Sequence, residues 1–235
     1  MMFESAGFEV IDLGVDVPAS KIIECYKENP DVKVIALSAL LTTTMPSLKD
    51  TVAAINAEDF RGKVKVMVGG APITDAFAKE IGADAVDFSL ESQDYRDEAC
   101  IYSKGDAAVL EYYKELKAYA DELGLMISQT HGKLPGFINN KEEDDALVEN
   151  SRLDCLATAM LGAPVCVIHN ASSISMGANP DPQLMHHLSF DMFTRILPYA
   201  KEYGIKVATE TFGDAVMYHS CDFFGNIEEF MKAYE

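Results

Sequence analysis

Positive charge is scarce in this sequence. Lys and Arg number 19 against 38 Asp and Glu, a formal net charge of -19. Such a surface repels phosphate backbones and anionic lipid, which argues against nucleic-acid and membrane binding and otherwise serves solubility. Apolar runs long enough to span a bilayer are also missing. The first residues, Met1-Met2-Phe3-Glu4, lack the basic stretch that opens a secretory signal. Cysteines are few and scattered: Cys25, Cys100, Cys155, Cys166 and Cys221 show no Cys-x-x-Cys spacing. That is a pattern of reduced thiols rather than a disulfide framework, and Cys166, inside an apolar run, reads as core. Together these absences give the expectation of a cytoplasmic protein.

What is present is a core and a rhythm. The chain has 235 residues, 49% of them hydrophobic, enough for one large α/β domain or two small ones. Short Val- and Ile-rich runs at 8–13, 34–40, 64–68, 85–90, 125–130, 165–169 and 206–211 are nearly continuous in hydrophobicity. Strands buried on both faces read that way. Amphipathic stretches lie between them. Pro46 opens one, with Leu48, Val52 and Ile55 on one face. Thr74 is placed to cap the next, and Asp106 to cap a long one that Gly124 stops. Helical patterns return at 147–160, at 184–203 before Gly204, and at 226–234. Alternating strands and helices predict a parallel sheet, barrel-like or doubly wound, with two long loops at 91–105 and 133–145.

Polar residues collect at the predicted strand ends. Asp12, Ser38, Thr42, the Gly69-Gly70 pair, Asp87, Gln129, His131, His169, Asn170 and Glu210 all fall there. In parallel α/β folds ligands bind at the carboxyl ends of strands, so these residues are expected on one face. His131, His169 and Glu210 end three successive strands, and two imidazoles with a carboxylate suit Zn²⁺, Mn²⁺ or another divalent ion. The alternative is that the histidines hydrogen-bond a substrate or a carboxylate with no metal. The other histidines, His186, His187 and His219, read as surface residues.

Two resemblances sharpen this reading. Residues 85–235 carry Tyr119-Ala120-Asp121-Glu122-Leu123-Gly124-Leu125 leading to Ser128-Gln129-Thr130-His131, then Leu161-Gly162-Ala163-Pro164-Val165-Cys166-Val167-Ile168-His169. A third block, Ala200-Lys201-Glu202-Tyr203-Gly204-Ile205, leads to Glu210-Thr211-Phe212-Gly213. This part resembles the xylose-isomerase-like barrels, which include sugar-phosphate isomerases and epimerases. The resemblance implies that His131 and His169 contact substrate or metal, that Glu210 is a metal ligand, and that the substrate is a small sugar or sugar phosphate. It also implies further ligands on later strands, and Asn170 stands where a Pro often follows the histidine. Residues 1–84 carry Ala6-Gly7-Phe8-Glu9-Val10-Ile11-Asp12-Leu13-Gly14, Leu37-Ser38-Ala39-Leu40-Leu41-Thr42 and Val68-Gly69-Gly70-Ala71-Pro72. They resemble the B12-binding domain of corrinoid methyltransferase proteins. That resemblance implies a cobalamin tail against Ser38, Leu40, Thr42, Gly69 and Gly70, without the axial histidine of that family's Asp-x-His-x-x-Gly loop, which this sequence does not contain.

The expectation is therefore a hybrid: an α/β chain of parallel β/α repeats, TIM-barrel-like, with a flavodoxin-like portion over 1–84 and a partial barrel over 85–235. Three functions follow from it: a metal-binding isomerase- or epimerase-like protein with an incomplete site, a corrinoid-binding module, or an inactive chimeric scaffold. Open sheet edges would favour a homo-oligomer.

Overall fold

The structure, a computed structural model, describes residues 9–39, 41–70, 72–177, 179–210 and 223–232. Strands and helices alternate along it: α1 (Ala19–Glu28), β1 (Val34–Ser38), α2 (Met45–Asn56), β2 (Lys65–Gly69), α3 (Asp75–Ile81), β3 (Ala85–Ser89), α4 (Asp106–Glu122), β4 (Met126–His131), α5 (Lys141–Met160), β5 (Val165–Val167), α6 (Pro182–Tyr203), β6 (Lys206–Ala208) and α7 (Ile227–Lys232). The strands are hydrogen-bonded in chain order, β1 to β6. The expected parallel α/β class is what forms.

The chain divides into two compact units, one of Phe3–Ser89 with Leu116–Gln129, the other chiefly of Leu90–Glu115 with Thr130–Glu235. In the first, β1 and β2 pair in parallel from Val34 against Lys65 to Ser38 against Gly69, and β2 pairs with β3 through Met67 and Val68. Its core is dry: Val52, Ile55, Val66, Val68, Ala78 and Val86 are fully buried. In the second, Thr130 and His131 pair with Cys166 and Val167, and Val165 to Val167 pair with Lys206 to Ala208. There the apolar faces of α5 and α6 close over β5, with Cys155, Cys166, Met185, Met192 and Ile196 fully buried.

Helix ends follow local chemistry. Thr74 accepts from the Phe77 N–H at 3.2 Å, as its position predicts. Gly204 stops α6 with φ +71°, a conformation that only glycine adopts without strain. Asp106 is itself the first residue of α4 rather than its cap. Its carboxylate takes Arg152 at 2.7 Å.

Three expectations need correction. Residues 9–14 are irregular chain, not a strand, and Ile11 is 44% exposed. A strand needs a neighbour's ladder, and among the described residues β1 pairs with β2 alone. The second half of the 133–145 loop is helix. Asn140 caps α5 by accepting from the N–H groups of Glu142 and Glu143, and Glu142, Glu143 and Asp144 place negative charge at the positive end of the helix dipole. The 91–105 loop contains a 3-10 turn, Ile101–Lys104, that buries Tyr102. Helix α1 was not expected from the sequence; Ile22 and Tyr26, one turn apart, are its buried face.

A candidate metal centre at the ends of β4, β5 and β6

Parallel pairing decides what meets at the strand ends. His131 sits opposite Val167, and Val167 sits opposite Ala208. Two residues beyond that register come His169 on one side and Glu210 on the other. The three side chains are brought together: one ligand atom from each lies within 4.8 Å of the others. The Nε2 atoms of both imidazoles approach the same carboxylate oxygen, Glu210 Oε1, at 3.1 Å from His169 and 3.4 Å from His131. The rings stand 5.8 Å apart, inclined at 36°.

The His169–Glu210 approach is a hydrogen bond, and the two nitrogen–oxygen separations are also close to those around a cation. Bonds of about 2.0–2.1 Å in a tetrahedral shell put neighbouring ligand atoms about 3.3 Å apart. Two nitrogens and a carboxylate oxygen are a donor set for a first-row divalent ion, and three protein ligands leave a position for water or substrate. His169 is 1% exposed at its side chain, whereas Glu210 is 38% exposed. The site is therefore closed on the β5 side and open on the Glu210 side. Burial pushes the Glu210 carboxyl up, but hydrogen bonds from His131 and His169 outweigh it and hold the group down at about 2.

The backbone beneath the site is braced by buried polar groups. The Asn170 side-chain amide donates to Thr209 Oγ1 at 2.9 Å, tying the end of β5 to the end of β6. Gly136 packs so closely on this segment that a Cβ would lie 1.9 Å from the Asn170 carbonyl oxygen. Asp154, fully buried on α5, accepts from the Tyr102 hydroxyl at 2.8 Å and from the Lys133 N–H at 3.2 Å. Burial drives its carboxyl up to about 7 against the opposing pull of those hydrogen bonds. None of these braces was expected from the sequence. Asp154 did leave a signal, as a carboxylate set between the apolar residues Leu153 and Cys155 in the sequence.

The strand ends of the other unit look different. Ser38 and Thr42 are exposed, and Leu40 lies outside the described residues. Gly69 and Gly70 are both constrained by the chain itself. A Cβ at Gly70, where φ is +108°, would lie 2.1 Å from the Ala39 carbonyl oxygen, and one at Gly69 would lie 2.9 Å from Asp87 Cβ. The Gln129 side-chain amide donates to Asp87 at 3.0 Å. Of the remaining histidines, His187 is exposed, and His219 lies outside the described residues. His186 is not simply a surface group: its ring meets Glu229 at 2.8 Å and packs edge-on against Phe223 and Phe224, because α7 folds over it. No helix among the described residues is long and apolar enough to cross a membrane.

Comparison with known proteins gives two family matches, which overlap between residues 76 and 91. Residues 1–91 match the B12 binding domain. The dimethylamine corrinoid protein 3 of Methanosarcina mazei is 55% identical over 84 residues, which make up 35% of this chain and 49% of that protein. The monomethylamine corrinoid protein 1 of Methanosarcina barkeri is 44% identical over 85 residues, 36% of this chain and 39% of that protein. The chain thus spans less than half the length of these curated relatives. Among solved structures, a D-tagatose 3-epimerase-like protein is 18% identical with a TM-score of 0.49, covering 65% of this chain and 55% of that one. The second family match, to the xylose isomerase-like TIM barrel, runs over residues 76–234. As that is more than half of its length, the chain belongs to the xylose isomerase-like TIM barrel family, and its front carries a segment that matches the B12 binding domain.

Proposed function

We propose that His131, His169 and Glu210 hold a divalent first-row cation and that this centre binds a sugar or sugar phosphate through a neighbouring carbonyl and hydroxyl, the grouping that isomerases and epimerases rearrange. The observation that supports it is the shared Glu210 oxygen, bracketed by two imidazole nitrogens at separations suited to one ion. The cation would supply polarisation of the substrate carbonyl. The protein's own groups do the rest. Glu210 contributes a negative charge to the ligand set. His169, buried to 1% exposure, gives a donor that cannot swing to solvent. The more open side at Glu210 and His131 is where a polyol approaches.

The test begins with metal-free protein titrated with Co²⁺, Zn²⁺ and Mn²⁺ by calorimetry. One equivalent should bind, and His169→Ala and Glu210→Gln should each weaken binding at least tenfold. Equal affinity in both variants would remove the centre. Exchange of carbon-bound hydrogen from candidate ketoses in deuterated water, dependent on the added ion, then tests the isomerase reading.

A second reading concerns residues 1–91 and is favoured by their 55% identity to a corrinoid protein. In it, the backbone at Ser38, Thr42, Gly69 and Gly70, with Leu40, receives part of a cobalamin. Gly70 keeps the turn after β2 tight against Ala39, so backbone rather than side chain faces outward there. Titration of hydroxocobalamin, followed by its visible spectrum and by retention on a desalting column, checks this; unbound corrinoid at both readouts would end it.

A further inference from the structure

The buried carboxylate of Asp154 has no part in the proposed chemistry, yet it grips the residues that follow His131. Gly132 is wedged between two groups. Its N–H donates to the Val167 carbonyl of β5 at 2.9 Å, and a Cβ on its other side would lie 3.0 Å from Asp154 Oδ2. That same oxygen accepts the Lys133 N–H, while Oδ1 takes the Tyr102 hydroxyl. On the other edge of the same peptide group, the Leu90 N–H donates to the His131 carbonyl at 2.7 Å. The peptide group that follows the His131 ring is therefore held at both its carbonyl and its N–H. The N–H side is referred directly to β5, two residues short of His169.

We propose that Asp154 is a positioning residue: through Gly132 and Lys133 it fixes the His131 imidazole against His169 and so sets the spacing of the donor pair. This rests on the metal reading for its purpose but not for its geometry. A carboxylate with no exposure is costly to bury, and its three neighbours here are two hydrogen-bond donors and a glycine that leaves it room. A Leu at this position would accept no hydrogen bond. Such a residue would leave the Lys133 N–H without its acceptor and would free the turn that carries His131.

The experiment has a metal-free arm and a metal arm, on the full chain. In the metal-free arm, NMR of ring-labelled histidine reads the cross-relaxation between the His131 and His169 rings, whose centres are 5.8 Å apart. In Asp154→Ala this signal should vanish, with the His131 resonance broadened and that of His186 unchanged. In Asp154→Asn, which can still accept from Lys133 and donate to Tyr102, the signal should remain. In the metal arm, Co²⁺ should bind Asp154→Ala roughly 10- to 100-fold more weakly, the usual cost of losing a group that orients a ligand, with an altered visible band. A folded Asp154→Ala with the ring signal, affinity and band of the parent overturns the proposal. If the parent shows the ring signal but takes up no Co²⁺, the metal reading fails while the ring signal still decides the positioning role. If Asp154→Ala does not fold, Tyr102→Phe removes one donor and leaves the carboxylate. A weakened ring signal there supports the proposal, and an unchanged one overturns it.

Discussion

The two compact units bury different kinds of matter. In the β1–β3 unit the interior is largely apolar, with Val52, Ile55, Val66, Val68 and Val86 wholly enclosed beside the stacked rings of Tyr26 and Phe60. In the β5–β6 unit the interior is mixed. Every buried polar or charged residue found among the described residues, from Thr130 and Asp144 to Asn170 and Ser189, belongs to it. Buried polar groups cost free energy unless paired, so an apolar interior would be the cheaper way to fill space. The difference teaches where geometry matters. The five-residue strands β1, β2 and β3 hold one another by their ladders. Strands β5 and β6 are three residues long, and their ligand-bearing ends are held by Asn170 and the tight fit of Gly136 instead.

The sharpest way to break this comparison is to damage each apolar core in turn. Ile55→Ala and Ile196→Ala each empty a fully buried site and should cost about 2–5 kcal/mol. If the units are energetically separate, urea unfolding will show the Ile55 variant losing one transition early while Co²⁺ affinity stays at the parent value. A single coincident transition in both variants would merge the units.

Crowding the two tight glycines is the next test. Gly136→Ala and Gly70→Ala each force a methyl into a carbonyl oxygen and should cost about 3 kcal/mol. Only Gly136→Ala should also weaken metal binding, because only Gly136 packs on the backbone of His169 and Asn170. Equal loss of metal affinity in both would contradict the assignment of the site to one unit.

A smaller effect should appear with pH. Asp154 is raised to about 7 in the fold, from an ordinary 3.8. Between those values the folded chain keeps a proton that the unfolded chain has released. Stability therefore falls as pH rises through this window, by about 1.4 kcal/mol for each pH unit crossed, and the contribution is fully present only below about pH 4. Asp154→Asn should flatten that slope in denaturant titrations at pH 5 and pH 8. The smallest change is expected at the surface of the other unit, where Lys49 pairs with Glu80. Lys49→Ala should shift stability by less than about 1 kcal/mol, and less still at high salt.

The positions of six of the seven helices described and of six strands were legible because burial leaves a local period, as in Leu48, Val52 and Ile55 along α2. The strand expected at 8–13 failed because the same apolar pattern forms a ladder only if a neighbour is present. The start of α5 was misread because its first turn is acidic rather than apolar, although Asn140 with Glu142 and Glu143 was a readable cap. His131, His169 and Glu210 could be named in advance because parallel strands must end on the same side. Asn170, Gly136 and Asp154 could not be given their roles, since each works on a group more than 20 positions away in the sequence.

By itself, then, the sequence determined the alternation of strands and helices from β1 onward, the two family affinities, and which donors follow successive strands. Each of these is written in spacing along the chain. Only the tertiary structure decided that two imidazoles share one carboxylate oxygen, and that a buried aspartate grips the turn behind one of them. Those facts depend on register and contact between segments distant in sequence, where a shift of one residue would send a side chain to the opposite face.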